Sequence, residues 1–208
     1  MKAELKHGCF LYRNQRFFIT GGVELGSYGS KKGRTISPHG QLNTQILKTL
    51  QEKATLDFEC YVGAGFKGGA KVPVLAKGEV QFESSHFRKA RLVLNMVDIY
   101  DGEVKDQINN AAGLLKDLKN LRDARVIDKV FIVEEALISS GSSMKGALDV
   151  SATIQTVQAF IGVSGKKATL SNLNISKGAV LAFQMLKPVW NKSKTEIIRL
   201  DTDLAGIA

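Results

Sequence analysis

Cysteine, proline and tryptophan are scarce in this chain, and long hydrophobic runs are missing. Cys9 and Cys60 are the two cysteines among 208 residues. They are too few to staple a fold and lack CxxC spacing, so a reducing compartment is expected and a structural zinc site is not. His7, His39 and His86 stand apart from one another and from other ligands at metal-binding spacing, so no metal or cofactor is expected. The longest apolar run, Ala179 to Phe183, falls far short of the ~20 residues of a spanning helix. Lys2, Glu4, Lys6 and His7 interrupt any apolar stretch after Met1, which argues against a secretory signal. A membrane role would therefore be peripheral, lipid-anchored or made from β-strands. With 44% hydrophobic and 24% charged residues, 20 Gly and 3 Pro, the composition excludes collagen-like, disordered and coiled-coil classes. The length suits one domain over 1–208 with a full core.

Charge is the feature that departs from the ordinary. The formal net charge is +9, and residues 1–91 carry 15 basic and 7 acidic residues against 14 and 13 in the remainder. A basic half attracts nucleic acid, anionic lipid or an acidic protein through the same long-range field, so charge alone does not choose among them. Lys67, Lys71, Lys77, Arg88, Lys89 and Arg91 crowd one stretch whose acids are Glu79 and Glu83. Stacking rings, which a single-strand nucleic-acid platform interleaves with charge, are limited there to Phe66, Phe82 and Phe87.

Periodicity outlines the elements. Cys9–Tyr12 and Phe17–Ile19 read as strands around a polar Arg13–Arg16 turn, and residues 26–40 read as a mobile basic loop. Leu42, Ile46, Leu47 and Leu50 recur at helical spacing and predict a short amphipathic helix over 41–53. Strict alternation follows at Leu56, Phe58, Cys60 and Val62, and again at Ala90, Leu92, Leu94 and Met96, with a Gly- and Lys-rich tip over 63–78 between them. A helix over 101–122, capped by Asp101, carries Val104, Ile108, Ala111, Leu115 and Leu118 on one face. Strands are then expected through Val130–Ile138, at Leu148, Val150, Ala152 and Ile154, over 170–175, over 179–186 after a Ser176–Gly178 turn, and over 196–200, with 201–208 as a tail. Strands, a helix and more strands without βα alternation make an α+β fold, a twisted, mostly antiparallel sheet with a few helices.

Signals for catalysis are weak. Gly63-Ala-Gly-Phe-Lys-Gly68 matches GxGxxG but leads into Val72-Pro73-Val74 and not a helix, so a phosphate there would lack a helix dipole. Gly29-Ser-Lys-Lys-Gly33 and Gly162-Val-Ser-Gly165-Lys-Lys have the wrong spacing for a P-loop and read as basic turns. No GxSxG or HExxH occurs, and Glu134 and Glu135, adjacent on a strand, are expected on opposite faces. The chain is not expected to be an enzyme. Cys9, beside Lys6 and Phe10, is either a buried thiol, the favoured reading, or an acylation site, where one acyl chain plus basic residues would give two anchoring signals.

From Phe131-Ile-Val-Glu-Glu to the end the chain shows a strand, a Gly-punctuated amphipathic stretch and then Ile175-Ser-Lys-Gly-Ala-Val-Leu-Ala-Phe183-Gln-Met. This resembles the end of a gasdermin pore-forming domain, in which a strand enters a Lys-Gly turn and leaves as an apolar strand. The upstream order is similar too, so the resemblance spans nearly the whole chain. With a short tail after the last strand, the sequence looks like the compact microbial or fungal members and departs from the animal pattern of a second, inhibitory domain.

The resemblance implies a gasdermin-like sheet that extends β-hairpins into a membrane, and a pore-forming cell-death protein of innate immunity, as in pyroptosis. It would be cytoplasmic when inactive and at the membrane when active. Expected partners are anionic membrane lipids, further copies of the chain or a related chain in the pore, and an inhibitory partner or a removed C-terminal segment. No nucleic acid is expected on this reading. Lipid contacts are assigned to Lys2, Lys6, Arg13, Arg16, Lys67, Lys71, Lys77, Arg88, Lys89 and Arg91. Membrane insertion is assigned to Leu92, Leu94, Met96, Leu148, Val150, Ala152 and Ile154, on hairpins over roughly 55–97 and 130–175. The alternative is a basic α+β binding module for nucleic acid or an acidic protein.

Overall fold

A computed structural model describes residues 1–6, 9–19, 22–61, 87–138, 148–149, 156–163 and 166–204. The strands are β1 (Lys2–Lys6), β2 (Cys9–Tyr12), β3 (Gln15–Ile19), β4 (Ser27–Lys32), β5 (Thr35–Gln41), β6 (Thr49–Tyr61), β7 (Phe87–Ile99), β8 (Ala124–Ile138), β9 (Leu148–Asp149), β10 (Thr156–Val163), β11 (Lys166–Asn174), β12 (Val180–Trp190) and β13 (Ile197–Thr202). Two helices, α1 (Asp101–Asn110) and α2 (Ala112–Asn120), lie between β7 and β8. The fold is α+β and mostly antiparallel, as the element order implies.

The sheet does not stay open. Strand pairing runs β1-β2-β3-β12-β8-β7-β6 and returns from β6 to β1, closing a seven-stranded barrel. The contact between β1 and β6 is parallel and short, with Lys2 opposite Thr55 and Ala3 opposite Leu56. Closure removes the unpaired edges that an open sheet exposes. In contrast to that seam, β6 and β7 pair without a bulge from Thr49–Ile99 to Tyr61–Phe87.

Alternation explains the interior. Ala54, Leu56 and Phe58 of β6, Leu92, Leu94 and Met96 of β7, and Phe131, Val133 and Ala136 of β8 share one buried cluster with Phe10, Tyr12 and Phe17. Phe131 sits among rings, 4.5 Å from Phe10, 4.9 Å from Phe17 and 5.3 Å from Tyr12 between centroids. Each such pair contributes about 0.5–1.5 kcal/mol beyond its area. A second cluster, with Cys9, Phe18, Ile36, Ile127 and Phe183, fills the space under the β4–β5 hairpin. A third packs Val104, Ile108 and Leu118 of the helices against Tyr28, Ile99, Val126 and Ile197.

Several expectations are corrected. Residues 26–40 are not a loop; β4 and β5 pair from Ser27–Gln41 to Lys32–Thr35 around a turn at Gly33. The polar residues that masked this hairpin are compatible with it because glycine lets its strands approach closely. A Cβ on Gly29 would lie 2.0 Å from the Ser37 carbonyl oxygen, and one on Gly40 2.4 Å from the Tyr28 hydroxyl. No α-helix forms over 41–53: a 3₁₀ turn covers Thr44–Ile46 and β6 begins at Thr49. Leu42 and Leu47 are buried, whereas Ile46 is 67% exposed, so the apparent helical stripe does not face one surface.

The helix over 101–122 is divided at Ala111, whose φ of −113° and ψ of 95° are extended. Tyr100, not Asp101, occupies its N-cap and makes no side-chain cap bond, while Asp101 and Glu103 sit in the first turn, where negative charge complements the dipole. Strand β12 continues through Pro188, because its pairing with β8 ends at Leu186 and no ladder bond is asked of the proline nitrogen on that side. Finally, a bulge between Val93 and Leu94 falls opposite Glu134, so Glu134 is half-buried, Glu135 exposed, and neither enters the core.

Candidate functional site

The long strands β6, β7 and β8 form one wall of the barrel, and their outer face carries charge. Lys53, Asp57 and Glu59 of β6 and Lys89 and Arg91 of β7 are exposed, because they alternate with the buried residues. Asp57 and Arg91 are register partners. Arg91 donates from Nε to Asp57 Oδ1 at 2.7 Å and from Nη2 to Oδ2 at 3.1 Å, and Lys2 Nζ lies 3.9 Å from Oδ2. The Arg91 hydrogen bonds, opposed by partial burial and aided by the charges of Arg91 and Lys2, hold the Asp57 carboxyl below its ordinary range. A cleft of about 400 Å³ follows, lined by Asp57, Phe58, Glu59, Lys89, Ala90 and Arg91.

Basic residues chosen from the sequence thus meet carboxylates. Arg13 Nη2 pairs with Glu52 Oε1 at 2.9 Å, and Tyr12 donates its hydroxyl to Glu52 Oε2 at 3.0 Å. Burial, then the Glu52 carboxylate, raises the Tyr12 pKa. Lys53 pairs with Glu134. Arg16 is exposed on β3 without an ion-pair partner among the described residues. Exposed pairs of this kind contribute little to stability because solvent screens them, and the wall as a whole is zwitterionic. Lys6 and Arg88 lie on β1 and β7, but their side chains, like Lys67, Lys71 and Lys77, fall outside the described residues.

The apolar assignments separate more sharply. Leu92 and Leu94 are 0% exposed and Met96 is 3% exposed, all turned into the barrel. In this closed form they are core, and no lipid can reach them. Leu148 is on β9 opposite Ile138, with its side chain outside the described residues, as are Val150, Ala152 and Ile154. Cys9 is a buried thiol in the cluster under the β4–β5 hairpin, the favoured of its two readings. An acyl group there would have no room in this conformation.

Register places the two hairpin units together. The β6–β7 pair ends at Tyr61–Phe87, the β7–β8 pair at Ala90–Ile138, and β10 joins β6 at Gln158–Tyr61. The segments after β6 and β8 therefore leave the same end of the wall. Compared with known proteins, the chain matches no family model and no curated sequence.

At the far end of β8 lies a cluster that the sequence reading missed. Asp203 accepts from Arg125 Nε at 2.5 Å and from Lys31 Nζ at 2.7 Å, with all three side chains at most 10% exposed. Arg125 Nη1 also donates to Asp123 Oδ1 at 2.9 Å and to the Ala124 carbonyl at 2.7 Å. Beside it is a cleft of about 210 Å³ whose lining includes Lys119, Lys187, Trp190 and Lys194. The one signal available beforehand was the single tryptophan set among Lys187, Lys192 and Lys194. The distant Arg125 and Asp203 had no local signature.

Proposed function

We propose that this chain is a gasdermin-like pore-forming protein that binds anionic lipid, oligomerises with copies of itself or a related chain, and inserts β-hairpins into a large transmembrane barrel. The observation that carries the reading is the wall of long strands β6, β7 and β8, of 13, 13 and 15 residues, broken by a single bulge between β7 and β8. A membrane strand needs about 9–11 residues, and the segments joining both hairpin units leave this wall at one end. No described helix is long and apolar enough to cross a bilayer, and a chain without such a helix can cross as a closed barrel.

Insertion on this reading requires the soluble barrel to open. The parallel seam of β1 on β6 is one of the two shortest closures of the barrel, the other being β3 on β12, and opening it frees the interior face of β6 and β7, with Leu92, Leu94 and Met96, to meet lipid. Arg16, Lys2 and the basic residues of the β6–β7 unit would meet anionic headgroups first, at about 1 kcal/mol per residue near the surface. The inactive protein would be cytoplasmic, held by an inhibitory partner or by a C-terminal segment later removed.

The test is release of a trapped dye from liposomes with and without phosphatidylserine. Aspartate at Leu92 or Leu94 would unfold the core, so the informative variant is Lys2→Cys with Thr55→Cys, a register pair across the seam. Wild type should leak anionic vesicles alone, and the oxidised variant should leak them after reductant is added. A folded protein that binds RNA or DNA and leaves every vesicle intact would replace this reading with the basic binding module.

A further inference from the structure

We propose that the cleft between the C-terminal end of α2 and the β12–β13 hairpin binds a phosphomonoester group. Its described lining holds four cations, Lys119, Arg125, Lys187 and Lys194, against one carboxylate, Asp123. Asp203 stands behind Arg125 and orients it through Nε. The Arg125 side chain is 5% exposed, and its Nη2 makes no hydrogen bond with the described residues, although Nε and Nη1 are both engaged. A nearly buried arginine whose Nε and Nη1 are fixed by Asp203 and Asp123 on different edges of the guanidinium, lining a cleft beside three lysines, is arranged to receive an oxyanion at its remaining donor.

Size and charge narrow the ligand class. About 210 Å³ is below the roughly 300–1,000 Å³ of sites that enclose drug-sized ligands, so a phosphoryl group and a short stem fit better than a whole nucleotide. A phosphomonoester brings about −1.5 to −2 charges at neutral pH, which suits three lysines and one arginine more closely than a single carboxylate would. Trp190, half-buried beside Pro188 and packed on the helix cluster, supplies an apolar wall for the stem. The site is independent of the hairpin wall: Arg125 and Ile138 stand near opposite ends of β8, about 40 Å apart at ~3.3 Å per residue.

Either a soluble organic phosphate or the phosphatidic acid headgroup could present this chemistry. Trp190 is the sole tryptophan, so its fluorescence reports on the cleft alone. Titration of the full chain with glycerol 3-phosphate at constant ionic strength should give a saturable change that chloride does not. The double variant Lys187→Gln with Lys194→Gln, both exposed positions, should raise the Kd at least ~10-fold with unchanged circular dichroism and melting. Lys119→Gln should weaken binding less, and Lys177→Gln, in the turn before the other end of β12, should leave it unchanged. A second arm adds vesicles of phosphatidylcholine with or without phosphatidic acid. A response to those vesicles alone, lost in the double variant, assigns the headgroup as the source, and a response to glycerol 3-phosphate assigns a soluble one. The proposal is overturned if neither arm changes the fluorescence, or if the double variant responds as the wild type does.

Discussion

Two residues show how the packing limits what the chain tolerates. At Gly29 a methyl group would overlap the Ser37 carbonyl of the paired strand at 2.0 Å, and backbone cannot step aside as a flexible side chain can. Gly29→Ala should therefore destabilise by about 1–3 kcal/mol, read as a lowered urea midpoint, whereas Gly102→Ala, with open space around the new Cβ, should not. Asp128 carries a different strain. It is 1% exposed, and its Oδ1 has no hydrogen-bond partner among the described residues. Burial first, then the charge of Asp101, with Asp98 adding and Lys129 opposing, holds its carboxyl well above the ordinary range. A raised carboxyl keeps its proton in the folded chain after the unfolded chain has lost it, so its contribution is whole at low pH and is lost as pH rises toward the folded value. Asp128→Asn should melt with the wild type near pH 4 and about 2–4 °C above it at pH 7, corresponding to ~1 kcal/mol. Parallel melting curves from pH 4 to 8 would show that Asp128 does not titrate this way.

Among the elements, strands that alternate over many residues were legible and short mixed ones were not. Leu92, Leu94 and Met96 announced β7, and the Lys177–Gly178 turn announced β12, because a period of two has one structural meaning once it is long enough. The segment 41–53 misled because Leu42, Ile46, Leu47 and Leu50 fit a helical face locally, while thirteen register pairs with β7 outweighed that propensity from Thr49 onward. The division of the central helix at Ala111 was invisible for a related reason. What decides it is the docking of α1, where Asn109 donates to the Ile197 carbonyl at 2.9 Å and accepts from the Ile197 N–H at 2.9 Å. Alanine at Asn109 favours helix intrinsically, yet it should cost about 1–3 kcal/mol by leaving Ile197 unpaired on the edge of β13. Thermal melting checks the sign: a rise in Tm would mean that the pair of bonds contributes nothing.

For the whole molecule, the distribution of pairing predicts where it opens. The β1–β6 and β3–β12 seams have two register pairs each, while β6, β7 and β8 share long ladders. Amide exchange should then be faster in β1 and β3 than in the middle of β7, and exchange in β1 should not require global unfolding. Mass-spectrometric exchange measured below the unfolding midpoint checks this order. Equal protection in β1 and β7 would show a barrel that opens all at once and would remove the seam from the proposed insertion pathway. The same map bears on the basic residues: Lys2 and Arg91 share Asp57 across the seam and the β6–β7 pair, so the charges chosen for lipid also hold the closed form together.

By itself the sequence determined the long alternating strands, which faces of β6, β7 and β8 are apolar, that a helical segment lies between β7 and β8, and that the first half carries the excess charge. These are local properties, set by periodicity and composition within a few residues. Tertiary structure alone decided that the sheet closes on itself, that Leu92, Leu94 and Met96 face inward, that Arg91 and Arg13 meet Asp57 and Glu52, and that Arg125, Asp203 and Lys31 come together. Each of those depends on pairing between segments far apart in the chain. A period of two names two faces of a strand, but only the partner across the barrel determines which face is inside.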